Sequence, residues 1–209
     1  NYIRALDIYL KLLKKAEARG DDNKQLIYNA NIGTLYVNMK EPAKGIPYLK
    51  RARVLIEKLH SEGYLGTMLI TESVAYKKLK NYTEAEKLLQ ETLRLAEKQH
   101  STYLLHTART LETEILIDQK KYREALPMVE RNISEFSTET SETDRIAGYG
   151  QKAQIFNELI NANDTEFLQR YFKGNKAVAL AATNNILDSA IRMNMESGMV
   201  ATMEEWYKI

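Results

Sequence analysis

Apolar positions recur along this chain at steps of three and four residues. Ile32, Leu35, Tyr36 and Met39 form one such stripe, and that spacing places the side chains on one face of an α-helix. A second helical stretch runs through Ala85, Leu88, Leu89, Leu93, Leu95 and Ala96, and residues 78–81 form a short gap before it, polar except for Leu79. The pattern predicts pairs of antiparallel helices joined by tight turns. Neither helix of a pair can bury its apolar face alone, so the pairs must stack to make a core.

The pairs repeat. Asn1-Tyr2-Ile3-Arg4-Ala5, Asn81-Tyr82-Thr83-Glu84-Ala85 and Lys121-Tyr122-Arg123-Glu124-Ala125 are variants of one segment, with Tyr82 and Tyr122 40 residues apart and Tyr2 at twice that distance before Tyr82. The skipped position carries Pro42, with Gly45 in place of Ala; Pro fits the first turn of a helix, where its missing N–H is not needed. Three further series keep the same step: Tyr36, Tyr76, Leu116 and Phe156; the small residues Gly33, Ser73, Thr113 and Ala153; and the apolar Ala16, Ile56, Ala96 and Phe136. His60 and His100 also match each other, although Gly20 and Thr140 flank them in the series.

A small residue, an aromatic three positions on, another aromatic six further and Ala three beyond that is the pattern of the tetratricopeptide repeat. Ser73-Tyr76-Tyr82-Ala85 carries it in full, and Thr113-Leu116-Tyr122-Ala125, Gly33-Tyr36-Pro42-Gly45 and Ala153-Phe156 carry it in part. The chain thus resembles that family over residues 1–158. The standard unit is about 34 residues; the longer step here resembles the repeats of bacterial regulatory proteins and some signalling adaptors, with about 1.5 extra helical turns per unit. The early Trp of the family is replaced by Asn29, Leu69, Arg109 and Tyr149. The resemblance implies an all-α fold, a right-handed superhelical solenoid of antiparallel helix pairs.

On this reading residues 1–209 are a single solenoid. Residues 1–20 are the second helix of a truncated repeat, 26–65, 66–105 and 106–145 are repeats, 146–199 is an irregular long repeat, and 200–209 begins another truncated one. In the irregular part Asp164-Thr165-Glu166 reads as a helix start, Phe167, Leu168, Tyr171 and Phe172 give that helix an apolar face, and Gly174-Asn175 predicts a break before a helix from about Ala177 to Met195. Residues 137–145 are the most polar stretch and are expected to be an exposed loop. Both ends stop within a repeat, so the chain reads as an excerpt of a longer protein whose open ends favour self-association.

Composition narrows the functional classes. Of 209 residues, 30 are Lys or Arg and 28 are Asp or Glu, a net charge of +2, so charge gives no reason to expect nucleic acid or a membrane as partner of this region. Cys is absent, which removes disulfides and thiol chemistry but leaves the compartment open, cytoplasmic or periplasmic. No HExxH, phosphate loop or nucleophile elbow is present. His60 and His100 read as surface cations near helix ends and His106 stands alone. Glu84, Glu86 and Glu91 read as solvated charges on a polar helix face. Asn81, Asn132 and Asn163 fit the glycosylation sequon, a weak three-residue match. No cofactor, metal or catalytic group is expected, and the chain is read as a non-enzyme.

In the family, ligands lie on the inner face made by the first helices. Carried over by position, the candidate residues for binding a protein or peptide are Ile27, Asn31, Thr34 and Asn38; Thr67, Thr71, Val74 and Lys78; Thr107, Thr110, Glu114 and Asp118; and Gln151, Gln154 and Glu158. Thr, Asn and Gln of this kind can hydrogen-bond an extended backbone. The basic clamp of the chaperone-binding members is missing, because Ala30, Thr34, Thr71, Thr107 and Leu111 stand at its places. The expected function is a binding scaffold, the sensing or interaction region of a larger bacterial regulatory protein. The alternatives are structural self-assembly through the solenoid ends or an enzyme.

Overall fold

A computed structural model describes residues 2–137 and 140–196; the repeat start expected at 200–209 lies outside the described residues. Among these, ten α-helices and one 3-10 turn make up the regular structure, with no strand: α1 (Tyr2–Ala18), α2 (Asp22–Asn38), α3 (Pro42–Lys58), the turn Glu62–Tyr64, α4 (Leu65–Lys78), α5 (Tyr82–Gln99), α6 (Thr102–Asp118), α7 (Tyr122–Ser134), α8 (Glu142–Asn161), α9 (Thr165–Phe172) and α10 (Lys176–Glu196). The chain divides into two compact units, Asn1–Ala108 and Arg109–Ile209, and the division falls within α6.

The helices end at a fixed interval. Gly20, Lys40, His60, Lys80, His100 and Lys120 all have positive φ, between 50° and 64°, and they stand 20 residues apart. After each, a backbone N–H reaches five residues back: Asp21 to the Ala16 carbonyl, Glu41 to Tyr36, Ser61 to Ile56, Asn81 to Tyr76, Ser101 to Ala96 and Lys121 to Leu116, at 2.8–3.0 Å. This is the Schellman closure, which satisfies carbonyls that the helix end leaves unpaired. The acceptors are the apolar residues whose 40-residue series mark the repeat. The next residue often caps the following helix at once: Asp21, Asn81 and Ser101 accept from the N–H groups of Lys24, Glu84 and Leu104. One left-handed residue and one side-chain cap therefore turn the chain in the least space.

In the first unit α2 packs with α3 and α4 with α5, α1 lies against α2, and α3 against α4. Leu26, Val37, Leu49, Ala52, Ile56, Met68 and Ala75 form a core there. The closest approach is between α2 and α3. A methyl group on Gly45 would stand 2.7 Å from the Gly33 carbonyl oxygen, and one on Gly33 would stand 2.6 Å from Leu49. Both positions need the absence of a side chain, which is why Gly45 stands where Ala85 and Ala125 stand elsewhere.

The second unit departs from the interval. α7 stops at Ser134, α8 runs for 20 residues, and among the described residues the next left-handed one is Asn163, three later than the interval requires. The loop expected over 137–145 is shorter than that, because Ser141 accepts from the Asp144 N–H and starts α8 at Glu142. Asp164 caps α9, an eight-residue helix, and Asn175 caps α10. α10 packs along α8 and against α9. Phe156 sits at the centre of this unit, with ring centroids of Phe167, Phe172 and Tyr171 at 5.1, 5.7 and 6.0 Å, edge-on geometry that aromatic rings favour.

Candidate first-helix binding face

In the first unit α2 presents Ile27, Asn31, Thr34 and Asn38 at helical steps, and α4 presents Thr67, Thr71, Val74 and Lys78 at the same steps. Ile27, Asn38, Thr67 and Lys78 are exposed; Asn31, Thr34, Thr71 and Val74 are half-buried. The two helices touch. Between them lies an apolar cleft of about 200 Å³, walled by Leu26, Ile27, Ala30 and Asn31 of α2, Tyr64 of the 3-10 turn and Met68 of α4. Ile27 is 53% and Tyr64 67% exposed, so large apolar surface stands open at the mouth.

The threonine hydroxyls here are already donors. Thr34 Oγ1 donates to the Ala30 carbonyl at 2.9 Å and Thr71 Oγ1 to the Thr67 carbonyl at 2.8 Å. What each has left is acceptor capacity. The amides of Asn31 and Asn38 offer both donor and acceptor. Thr107, on the first turns of α6, is half-buried.

The candidates of the second unit meet a different fate. Thr110 and Gln151 are buried. Gln151 Nε2 donates to the Thr110 carbonyl at 3.0 Å, and Asn132 Nδ2 donates to Thr110 Oγ1 at 3.3 Å. These groups join α6, α7 and α8, so neither stands on an open face. Glu158 is half-buried beside Tyr122 of α7, whose hydroxyl pKa is pushed up first by burial and then by the Glu158 charge and hydrogen bond. Glu114 and Gln154 are half-buried and Asp118 is exposed.

Ionisable groups cluster elsewhere. Glu72 of α4 is buried, its carboxylate 3.6 Å from Arg53 of α3, and Arg53 in turn is 3.8 Å from Glu91 of α5. Burial raises the Glu72 pKa above its usual value, with Arg53 and then Lys50 opposing the shift. Glu91 is thus a partner in a charge chain linking three helices. Arg123 of α7 makes a two-pronged contact with Asp164, 2.7 and 2.9 Å, and also reaches Glu166. Among the described residues no three His, Asp or Glu side chains converge as metal ligands, and no helix is long and apolar enough to cross a membrane. Asn132 is fully buried, which withdraws that sequon from any modifying enzyme.

Sequence reasoning missed the part of the cleft that does not repeat. Tyr64 belongs to a turn, outside the helical stripes, Leu26 and Met68 were not singled out, and Ala30 was read only as a place where the basic clamp is missing. A large aromatic placed just before a first helix was the available signal.

Residues 23–98 match the family described as Tetratricopeptide repeat. No curated protein and no solved structure matches the chain. With small residues where α2 meets α3, first helices α2 and α4 side by side, and second helices α3 and α5 packed on them, the structure of residues 23–98 is consistent with the tetratricopeptide repeats they match.

Proposed function

We propose that the chain is a non-enzymatic scaffold that holds an extended peptide or protein segment on the first-helix face of α2 and α4. Tetratricopeptide repeats in general mediate contacts between proteins. The observation that carries the reading is the cleft at Ile27, Asn31, Tyr64 and Met68, an apolar seat for one side chain beside a row of neutral polar groups. Apolar burial supplies affinity there. Thr34 and Thr71 accept backbone N–H groups, and Asn31, Asn38 and Thr67 serve the rest of a strand-like ligand. Val74, Lys78 and Thr107 extend the face within the first unit. Glu114, Asp118, Gln154 and Glu158 are proposed for the same role within the second; Thr110 and Gln151 are left out because they bond to each other.

The test is a peptide selected from a displayed library against the 209-residue chain. Replacing Asn31, Thr34 and Thr71 together by Ala should weaken binding by about tenfold or more, equivalent to ~1.4 kcal/mol. Unchanged affinity would move the site off this face. The narrower reading is the sensing or interaction region of a larger bacterial regulatory protein. The 40-residue step, which resembles the repeats of such regulators, supports it, and a reading frame without an effector module would remove it. A second reading is self-association. Tyr2, Ile3 and Ile8 of α1 are exposed at 54, 72 and 47% and could seat another copy; sedimentation that stays monomeric at high concentration would exclude it.

A further inference from the structure

A second cleft lies away from the first-helix face, between α1, α2 and α3. It measures about 480 Å³, within the range of small-molecule sites. Its wall includes Asn29, a residue only 3% exposed. Asn29 Nδ2 donates to the Gln25 carbonyl at 2.8 Å, which fixes the orientation of the amide. Its Oδ1 is buried and has no hydrogen-bond partner. A buried acceptor left unpaired costs about 1–3 kcal/mol, so this atom lacks a donor that something should supply.

The repeat register shows why the cleft exists. The positions equivalent to Asn29 carry side chains that fill their own hairpins. Leu69 is fully buried. Arg109 pairs with Glu135, and Glu135 is the register equivalent of Leu55, a wall residue of the cleft. Tyr149 meets Phe136 edge-on, with ring centroids 6.4 Å apart. Only the first hairpin has an Asn here, and it leaves space. Its remaining polar walls are Glu17 and Gln25 on one side and Lys50 and Arg51 on the other; Lys50 is held by Tyr76, and Arg51 lies over the Tyr48 ring at 5.8 Å. Val54, 63% exposed, adds open apolar surface.

We propose that this cleft is a binding site for a free α-amino acid with an apolar side chain. The ammonium group donates to Asn29 Oδ1 and is balanced by the Glu17 carboxylate. The carboxylate pairs with Arg51, while Lys50 stays on Tyr76 of α4. The side chain covers Val54 and Leu55. The ligand thus brings an N–H donor for the unpaired oxygen and a carboxylate for the Arg51 guanidinium.

The experiment uses the whole 209-residue chain, labelled with nitrogen-15, and L-leucine and L-phenylalanine as probes. Saturable shifts of the Asn29 side-chain amide, with neighbouring shifts confined to α1, α2 and α3, are expected. N-acetyl-L-leucine amide, which lacks both charges, should bind at least about tenfold more weakly. Asn29→Leu, which installs the residue of the next repeat, should abolish the response while circular dichroism stays helical; Val54→Glu is a second variant with the same expected loss, should Asn29→Leu fail to fold. No response to either amino acid, an equal response to the uncharged analogue, or binding retained in the variants would each overturn the proposal. Peptide binding on the α2–α4 face should be untouched by Asn29→Leu, so failure here and failure of the scaffold reading are separate results.

Discussion

In the first unit every helix end after α1 repeats the same device, and the first helices keep equal phase. In the second unit the interval holds through Lys120 and then slips: α7 is short, α8 is longer by a turn, and α9 is inserted before α10. The fate of polar residues follows this difference. Asn31, Thr34, Thr67 and Thr71 stay at the surface of their unit. Gln151, at the register position of Thr71, and Thr110, at that of Ala30 and Ile70, are consumed in bonds between helices. At the position shared by Thr71 and Gln151 the side chain stays at the surface where the hairpins keep their register and is buried where they do not.

The largest effect should come from the aromatic centre of the irregular unit. Phe156→Ala removes a buried ring that touches three others and should cost about 4 kcal/mol. The register-equivalent Tyr36 is half-buried, and Tyr36→Ala should cost about half as much. Urea unfolding of the two variants measures the ratio, and equal losses would erase the distinction between the units. Next is the close approach of α2 and α3. Gly45→Ala drives a methyl group toward the Gly33 carbonyl, and overpacking of that kind should cost about 2 kcal/mol, seen as a lowered Tm by calorimetry. An unchanged Tm would mean that α2 and α3 have room to spare.

A smaller effect concerns the start of the inserted helix. Asp164 caps α9 and pairs with Arg123, and the Arg123 hydrogen bond is the main reason that its carboxyl is held below the usual 3.8. The folded state therefore binds this proton less readily than the unfolded chain. The stabilisation is complete above the usual carboxylate value and is lost as pH falls through the lowered one. Asp164→Ala should cost about 1 kcal/mol at neutral pH and should remove this part of the acid sensitivity, both measurable by denaturation across pH. The smallest effect tests the turn. A non-glycine residue in the left-handed region costs about 1–2 kcal/mol, and Gly gives back about 0.5–1 kcal/mol through the unfolded chain. Lys80→Gly should therefore raise stability by a few tenths of a kcal/mol, whereas a fall would mean that the Lys80 side chain contributes a contact.

The helix pairs were legible because Tyr36, Tyr76, Leu116 and Phe156 keep one interval and one kind of side chain. The start of α9 was legible too, since Asp164 is a residue type that accepts from a helix N-terminus, whereas Asn175 was read only as part of a break and proves to cap α10. The left-handed turns were not. Lys40, Lys80 and Lys120 adopt a conformation that Lys does not favour, and the tertiary packing of two helices imposes it. The fate of Thr110 and Gln151 was hidden for another reason: a polar side chain has the same sequence signature whether it faces solvent or a neighbouring helix. Asn29 was visible as a departure from the family's large residue, but the open cleft and the unpaired oxygen belong to the packed structure alone.

The most direct test of the scaffold account is a chemical-shift map of the chain bound to its selected peptide. The account predicts that the largest shifts fall on Ile27, Asn31, Thr34, Thr67 and Thr71, with Tyr64 and Met68 at the apolar seat. Shifts concentrated on the second helices α3 and α5, with α2 and α4 unmoved, would contradict it.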